Sequence, residues 1–135
     1  MSKNVQTVQA MYAAFGKGDV PTILSYIADD VDWEWGGSDH GVPWLKPGKG
    51  KAHAGKFFDE LRKIEFLRFE PFAFLADGDL VAVPVHLEAK YTPTGKVIKD
   101  LQAHLWGFDK NGKVNRMRHW TDTVQHVKAF SGADI

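Results

Sequence analysis

The sequence predicts an α+β domain in which three N-terminal helices pack on a strongly curved, mainly antiparallel sheet. Two observations indicate this class. Apolar residues recur at helical spacing in the first half of the chain, and after Ile64 β-branched and aromatic residues alternate with Gly, Asp and Pro clusters. Helices and strands that occupy separate parts of a chain are typical of α+β folds, with the helices on one face of the sheet.

The helices are predicted from apolar spacing and from their end signals. A first helix over residues 4–15 ends at Gly16. Asp19 is a suitable N-cap and Pro21 lies in the following turn, where a missing N–H costs nothing, so a second, short helix follows. Apolar residues at i, i+3, i+4 and i+7 from Ala54 predict a third helix of about three turns.

One strand and one long loop separate the second and third helices. Val31, Trp33 and Trp35 alternate with acidic residues, which predicts a half-buried strand whose two tryptophans share a face. The segment 36–51 has five glycines, two prolines and no periodicity. Because a loop of this length in a compact domain usually has a function, we expect it near the mouth of a pocket.

The second half of the chain predicts an antiparallel meander. Turn clusters separate four expected strands, at residues 65–75, 80–91, 96–108 and 113–121. Pro71 and Pro84 cannot donate a ladder hydrogen bond, so each should mark a bulge or a strand edge. Residues 122–130 are expected to form a short helix or tail.

Composition excludes several classes of function. Lys and Arg total 17 and Asp and Glu total 17, so the net charge is zero and no basic surface for nucleic acid or for a membrane is expected. The sequence has no cysteine and begins with polar residues, which favours a cytoplasmic protein without disulfides. Residues 1–135 are expected to form a single domain.

Several short motifs carry a resemblance to a known superfamily. The motifs at the element boundaries are Gly18-Asp19, Ala28-Asp29-Asp30-Val31 and Asn111-Gly112-Lys113-Val114. With this order of elements, the chain resembles the superfamily of nuclear transport factor 2, ketosteroid isomerase and SnoaL-type polyketide cyclases. It is most similar to SnoaL-like, ketosteroid-isomerase-related proteins, in the motifs Tyr12-Ala13-Ala14-Phe15, Phe66-Leu67-Arg68-Phe69-Glu70-Pro71 and Trp120-Thr121-Asp122-Thr123.

The resemblance has consequences for shape and assembly. It implies a cone-shaped α+β barrel, an NTF2-like fold, whose concave face lines an apolar cavity for a small apolar or aromatic ligand. It also implies a homodimer through the convex sheet face, where Leu101, Ala103, Leu105 and Met117 would supply an apolar patch. No cofactor is implied. Superfamily membership indicates fold more strongly than function, because the scaffold hosts isomerases, cyclases, hydrolases and binders.

His104 is the first candidate for catalysis. Counted back from the last turn, it lies where ketosteroid isomerase has the carboxylic acid of its oxyanion hole. A histidine there could donate a hydrogen bond or transfer a proton near neutral pH. The alternative is a buried histidine satisfied by one hydrogen bond. If His104 points inward, alternation places Gln102 and Trp106 on the same face.

Asp122 is the second candidate. It matches the acid/base aspartate of SnoaL-type cyclases, and burial beside Trp120 and Trp106 would raise its pKa into a useful range. The alternative is that Asp122 caps the terminal helix. On the last strand the resemblance places Arg118, Trp120 and Asp122 on the cavity face, and the residues that include His119 on the other face.

Other residues depart from the isomerase pattern. Trp35 occupies the position of the isomerase base and Met11 that of its oxyanion-hole tyrosine, so steroid isomerisation itself is rejected. Tyr12 could still reach the cavity if the first helix is rotated. Trp33 and Trp35 could form flat walls for a ring or pack the core. Arg118 could bind an acidic substrate or form an ion pair at the sheet rim.

The sequence therefore predicts a small-molecule enzyme that transfers a proton next to a carbonyl, of isomerase or cyclase type, without a cofactor. Two alternatives stay open: a non-catalytic binding module, and an epoxide-hydrolase variant, which requires an Asp-Arg-Asp set. No metal site is predicted, because only His86 and Glu88 have suggestive spacing. The expected catalytic residues are Asp122 and His104, and the expected substrate-binding residues are Tyr12, Trp33, Trp35, Trp106, Arg118 and Trp120.

Overall fold

The computed structural model describes residues 2–135 and has the predicted α+β architecture. Four helices and seven strands follow one another as α1 Lys3–Gly16, α2 Val20–Ser25, β1 Ile27–Trp33, β2 Gly48–Lys49, α3 Lys51–Glu60, β3 Ile64–Pro71, β4 Leu75–Asp77, β5 Leu80–Tyr91, β6 Lys96–Phe108, β7 Val114–Trp120 and α4 Thr123–Ser131. Across residues 2–135, no helix is both long and apolar enough to span a bilayer.

The first two helices begin at side chains that satisfy free backbone N–H groups. The Ser2 hydroxyl accepts a hydrogen bond from the backbone N–H of Val5 at 3.1 Å. Asp19 is the N-cap predicted from the sequence, and its carboxylate accepts from the N–H of Thr22 at 3.1 Å. Such caps stabilise a helix by about 1 kcal/mol each, which matters most for the six-residue α2.

The sheet is curved and does not close on itself. Its strand order is β2-β1-β7-β6-β5-β3, and β4 pairs with β5 beyond the end of β3. β1 and β7 are parallel, and every other pair is antiparallel. Pro71 ends β3, and Pro84 lies where the partner of β5 changes from β3 to β4, so both prolines mark strand edges as expected.

Alternation along the two longest strands builds the concave face. In β5 the odd-numbered residues from Val81 to Tyr91 are buried. In β6 the even-numbered residues from Ile98 to Phe108 are buried, and these include three polar side chains, Asp100, Gln102 and His104. The α1 residues Val5, Val8 and Met11 pack in the same core. The fold therefore directs a row of polar groups on β6 into an otherwise apolar interior.

The prediction that Trp33 and Trp35 share a strand face is wrong. β1 ends at Trp33, and Glu34 adopts a positive φ of 56°, the one non-glycine residue with such a φ in the described chain. This left-handed residue reverses the alternation. Glu34 turns inward and is 3 % exposed, whereas Trp35 turns outward, is 39 % exposed and lies under the Arg116 guanidinium at 5.2 Å.

Candidate functional site

A cavity of about 80 Å³ lies between the helices and the concave face of the sheet. Apolar and aromatic side chains form most of its wall. Apart from tryptophans, the lining side chains that carry a polar atom able to hydrogen-bond are Tyr12, Gln102, His104, His119 and His126. Within residues 2–135, no Asp, Glu, Lys or Arg lines it. Trp44 and Leu45, from a 3-10 turn in the segment 36–51, close part of the wall, so this segment lies at the pocket as predicted.

A hydrogen-bonded network joins α1 to β6 across the cavity wall. The Tyr12 hydroxyl lies 2.7 Å from Nδ1 of His104, and the indole N–H of Trp106 donates to the same hydroxyl oxygen at 3.1 Å. On the other side of the imidazole, Nε2 of His104 lies 2.8 Å from the amide nitrogen of Gln102. His104 is thus bonded through both ring nitrogens.

Two pKa values in this network are shifted by burial. Loss of hydration, followed by repulsion from the neighbouring His119 ring when that ring is protonated, lowers the pKa of His104 well below 6.5, so its ring is neutral at pH 7. Burial also raises the pKa of the Tyr12 hydroxyl, an effect that the hydrogen bond from Trp106 partly opposes. The network therefore contains a neutral imidazole and an un-ionised phenol.

The direction of these hydrogen bonds follows from the donors present. With the amide nitrogen of Gln102 donating to Nε2, the single proton of His104 is on Nδ1, and that N–H donates to Tyr12. The Tyr12 oxygen then accepts from both His104 and Trp106, and its own hydrogen has no partner among residues 2–135. Tyr12 can therefore donate a hydrogen bond to a molecule in the cavity.

Glu34 and His119 form a second polar pair at the cavity. The carboxylate of Glu34 accepts from the backbone N–H of His119 at 3.0 Å and from its ring Nδ1–H at 2.5 Å. Parallel pairing of β1 with β7, which aligns Trp33 with Met117, brings the two residues together. Their side chains are 3 % and 11 % exposed. With its Nδ1–H bound to the carboxylate, His119 has a lone pair on Nε2 in the neutral form of the ring.

The surroundings of His119 leave that nitrogen available. Its ring lies 4.8 Å from the ring of His104 and 5.2 Å from the ring of Phe57, both members of the cavity wall. Nε2 has no hydrogen-bond partner in the described part of the chain. A second, polar pocket of about 20 Å³ adjoins the pair and includes Arg118. His119 is therefore the cavity histidine whose Nε2 is not bonded within the described part of the chain.

His126, the third cavity histidine, has a structural role. The indole N–H of Trp44 donates to its Nδ1 at 2.9 Å, and its Nε2 lies 3.0 Å from the carboxylate of Asp100. Since an indole only donates, Nδ1 is unprotonated and the ring is neutral with its proton on Nε2. Asp100 also accepts from the backbone N–H of Asp122. The group ties the segment 36–51 to β6 and α4.

Of the residues predicted to form the site, half line the cavity. Tyr12, Trp33, His104 and Trp106 lie in the wall. Trp35, Arg118, Trp120 and Asp122 do not, contrary to the positions predicted for them. Trp35 lies outside because of the turn at Glu34. The other three were expected in the cavity because the resemblance placed their side of β7 on the concave face of the sheet.

The face of β7 that points into the cavity is the opposite of the one predicted. Met117 is fully buried and His119 lines the cavity, whereas Trp120 is 50 % exposed and Arg118 donates to the carbonyl oxygen of Trp35 at 3.0 Å. One signal in the sequence favoured this arrangement. The chosen face carried two arginines, Arg116 and Arg118, and charged side chains are rarely buried without partners.

Asp122 lies at the surface, at the N-cap position of α4, but its side chain accepts no hydrogen bond from the backbone N–H groups of that helix. Its carboxylate accepts a hydrogen bond from the side-chain amide of Gln125 at 2.9 Å. A carboxylate exposed to water outside the cavity has no route to a ligand inside it. Asp122 is therefore not carried forward as the acid/base.

Sequence reasoning missed Glu34, and it placed His119 on the outer face. Glu34 was assigned to the outer face because it alternates with two tryptophans, and a single left-handed residue was not visible in that pattern.

No group of three or more His, Asp or Glu within residues 2–135 is arranged to hold a metal ion.

The fold and site together define a class: an α+β protein with helices over a curved, open sheet and an apolar cavity that holds a carboxylate-bound histidine. The sequence profile described as the SnoaL-like domain matches residues 8–117, and the chain belongs to this family. The NTF2-like fold predicted from the sequence is confirmed. A search of curated proteins finds no match.

Solved structures support the assignment. An NTF2-like protein from Burkholderia xenovorans LB400 is similar, with 27 % identity, a TM-score of 0.80, and 93 % of this chain and 94 % of that chain covered. An NTF2-like protein of unknown function from Burkholderia pseudomallei K96243 shares the fold at 24 % identity, with a TM-score of 0.82 and 96 % and 98 % covered. TerC, co-crystallised with polyporic acid, is 26 % identical, with a TM-score of 0.77 and 96 % and 99 % covered.

Proposed function

We propose that this protein is a small-molecule enzyme that moves a proton next to a carbonyl group, with His119 as the general base and Glu34 as the residue that orients it. The observation that carries the proposal is the Glu34–His119 pair: His119 lines the apolar cavity, and its Nε2 has no hydrogen-bond partner in the described part of the chain. A carboxylate on one ring nitrogen fixes the tautomer and stabilises the imidazolium that forms when the other nitrogen takes a proton. Membership of the SnoaL-like family supports this class of chemistry.

The proton transfer follows from the groups in the wall. Nε2 of His119 takes a proton from the carbon next to the substrate carbonyl. The electron pair of the broken C–H bond forms a carbon–carbon double bond, and the pair of the carbonyl π bond moves to oxygen, which gives an enolate. The Tyr12 hydroxyl, which stays protonated because burial raises its pKa, donates to that oxygen. The imidazolium then returns the proton to another carbon of the conjugated enolate, which gives an isomer. Alternatively, the enolate carbon attacks a second carbonyl of the same molecule, and the alkoxide formed there takes the proton from the imidazolium, which gives a ring.

His104 has a supporting role in this scheme. Both of its ring nitrogens are bonded within the protein, so it holds Tyr12 in place and does not itself reach the substrate. The prediction of His104 as a catalytic donor is thereby revised, and Tyr12 takes the donor role. In this scheme Trp33 and Trp106, which line the cavity, are the walls against which the ligand packs.

The cavity limits the substrate to a compact molecule. Its volume of about 80 Å³ is well below the range that begins near ~300 Å³ for drug-sized ligands. A single ring with a carbonyl group suits this space and its aromatic walls. A four-ring steroid does not, which agrees with the rejection of steroid isomerisation. The epoxide-hydrolase variant has no support, because no Asp or Arg of residues 2–135 lines the cavity.

The test uses the β,γ-unsaturated isomer of cyclohexenone, whose conversion to the conjugated isomer is followed by ultraviolet absorbance. We expect the wild type to accelerate the conversion over buffer, and His119→Gln to lower the rate about 10²- to 10⁴-fold. Asp122→Asn is the matched control and should keep the wild-type rate. An unchanged rate in His119→Gln would remove the base. Binding of the ketone with no conversion by the wild type would favour the non-catalytic binding module.

We also propose that the convex sheet face pairs two copies of the chain. Leu101 is 63 % exposed and Trp120 is 50 % exposed, and the register of β6 and β7 places Trp120 beside Ala103. Met117 was expected in this patch, but it is buried on the concave side. The exposed apolar side chains that remain would form the centre of the interface. The cytoplasmic location expected from the sequence stays a prediction.

A further inference from the structure

Arg118 lies beside the proposed general base, and its hydrogen bonds go to the main chain. Its Nη1 donates to the carbonyl oxygen of Trp35 at 3.0 Å, and its Nε donates to the carbonyl oxygen of His119 at 3.3 Å. Among residues 2–135, no carboxylate forms an ion pair with it. The guanidinium therefore joins the segment that follows β1 to the end of β7.

The segment that follows β1 is a tight turn from Glu34 to Gly37. The backbone N–H of Gly37 donates to the carbonyl oxygen of Glu34 at 2.8 Å. A Cβ on Gly37 would lie 2.9 Å from that carbonyl oxygen and 3.4 Å from Nη1 of Arg118. The absence of a side chain at Gly37 thus lets the turn close and lets the guanidinium approach it.

The left-handed backbone of Glu34 has to be held by its surroundings. Non-glycine residues with a positive φ are rare, and they persist where neighbouring contacts fix them. Here the next residue is held at both of its main-chain polar groups. The N–H of Trp35 donates to the carbonyl oxygen of Met117 at 2.9 Å, and the carbonyl oxygen of Trp35 accepts from Arg118. The second of these bonds depends on one side chain.

Arg118 also places a positive charge near the buried carboxylate of Glu34. Both residues line the polar pocket of about 20 Å³, together with His119, and Arg118 is the one Lys or Arg of residues 2–135 that does so. Glu34 is 3 % exposed, and a carboxylate removed from water is stabilised by a nearby cation. The charge adds to the hydrogen bonds but cannot replace them, because attraction between charges fixes no direction.

We propose that Arg118 is a positioning residue for the general base. It holds the turn from Glu34 to Gly37 against β7, and it thereby fixes the carboxylate that binds Nδ1 of His119. The inference deepens the proposed function and rests on it only for the role of His119 as base. It replaces the substrate-binding role predicted for Arg118, which does not line the cavity.

The first readout is the tautomer of His119, which the ring ¹⁵N chemical shifts report in labelled protein. His119→Gln identifies the signal by its loss. In mildly alkaline solution we expect the wild type to show the Nδ1–H tautomer and Arg118→Met to show a mixture, because the carboxylate no longer has a fixed position. Arg116→Met is the matched control, since Arg116 lies on the same strand and contacts Trp35 and Asp79. It should keep the wild-type signal.

Two further variants separate the hydrogen bonds of Arg118 from its charge. Arg118→Lys keeps the charge but lacks the rigid guanidinium fork, and should give the same mixture as Arg118→Met. Gly37→Ala keeps Arg118 but places a Cβ against the carbonyl oxygen of Glu34, and should also mix the tautomers. A pure Nδ1–H tautomer in Arg118→Met or in Arg118→Lys would overturn the inference.

Activity in the isomerisation assay gives a second readout. Arg118→Met should lower kcat about 10- to 100-fold and change KM less than twofold, because a base displaced by ~1 Å can lose ~10²-fold in rate while the cavity keeps its walls. Arg116→Met should stay within twofold of wild type. A raised KM with an unchanged kcat would assign Arg118 to substrate binding and overturn the inference. If the wild type is inactive while the tautomer responds as expected, the proposed function fails and the positioning role stands.

Discussion

Glu34 holds His119 at two points, accepting its backbone N–H at 3.0 Å and its ring Nδ1–H at 2.5 Å. The first bond fixes the main chain of β7, and the second fixes the imidazole that faces the cavity. One carboxylate therefore joins the parallel strand pair β1–β7 and prepares the proposed base. Its position depends on the left-handed backbone of Glu34 itself.

Loss of the Glu34 carboxylate should destabilise the protein. Glu34→Ala leaves two buried N–H groups of His119 without an acceptor, and we expect the free energy of unfolding to fall by about 3 kcal/mol. Glu34→Gln keeps one acceptor oxygen and should cost less. The measurement is urea unfolding followed by circular dichroism. Asp32→Ala, the same change at a neighbouring carboxylate of β1, should stay within about 0.5 kcal/mol of wild type. Equal losses in the Glu34 and Asp32 variants would contradict the pairing.

Stability should fall in mild acid because of His104. In the folded protein its pKa lies well below 6.5, whereas the unfolded chain titrates near 6.5. Between these two pKa values only the unfolded state binds the proton. The contribution of His104 to the free energy of unfolding is therefore fully present above pH 6.5 and is lost as the pH falls below that value. The slope from this residue is at most about 1.4 kcal/mol per pH unit.

The measurement for His104 is the free energy of unfolding at a series of pH values from neutral to mildly acidic. His104→Gln should show a shallower slope than the wild type, because the group that titrates has been removed. His40→Gln, a change at an exposed histidine, should keep the wild-type slope. The comparison uses slopes alone, so a uniform loss of stability in His104→Gln does not affect it.

The two neighbouring tryptophans should differ sharply in their contribution to stability. Trp33 is 1 % exposed, and Trp33→Ala should lower the free energy of unfolding by about 3 to 5 kcal/mol. Trp35 is 39 % exposed and contacts Arg116, so Trp35→Ala should cost about 1 kcal/mol or less. Thermal unfolding checks both. Similar losses would mean that the turn at Glu34 does not separate the two side chains.

The hydrogen bond between Trp44 and His126 should contribute more to stability than the apolar surface that is lost when Trp is replaced by the smaller Phe. Trp44→Phe removes the indole N–H and leaves Nδ1 of buried His126 without a donor, which should cost about 1 to 3 kcal/mol. Trp35→Phe is the matched control at a partly exposed position and should cost less than about 0.5 kcal/mol. A double-mutant cycle with His126→Leu isolates the pair, and a coupling energy near zero would show that the bond contributes nothing.

A charge on the convex face should separate the proposed dimer. Leu101 is the most exposed apolar residue of β6, and Leu101→Asp would place one carboxylate from each copy in the interface. We expect light scattering to give a dimer mass for the wild type and a monomer mass for Leu101→Asp, with circular dichroism unchanged. Lys110→Asp, in the exposed turn between β6 and β7, should remain dimeric. A monomeric wild type at micromolar concentration would refute the proposal.

Much of the fold could be predicted because its signals are local or repetitive. The Asp19 cap, the alternation of β5 and β6 and the two prolines each fix an element without reference to distant residues. His104 and Trp106 reach the cavity by the same alternation. Periodicity sorts a strand into two faces but does not say which face is inside, and for β7 the resemblance selected the wrong one.

The pairing of Glu34 with the proposed general base His119 could not be predicted from local sequence patterns. Glu34 and His119 are 85 positions apart, and they meet only because β1 pairs in parallel with β7. The inward turn of Glu34 needs a backbone conformation that non-glycine residues rarely adopt. The site therefore depends on the pairing of two distant strands and on one unusual backbone dihedral angle. Neither can be predicted from the spacing of residues along the chain.

The link from Trp44 through His126 to Asp100 has a consequence for motion. Asp100 also binds the backbone N–H of Asp122, where α4 begins, so the 3-10 turn over the cavity and the start of the last helix share one buried carboxylate. Hydrogen exchange should therefore report a single cooperative opening of both segments. When that opening is slower than diffusion, the association rate of any ligand admitted through this wall will level off at the opening rate, whatever the ligand concentration.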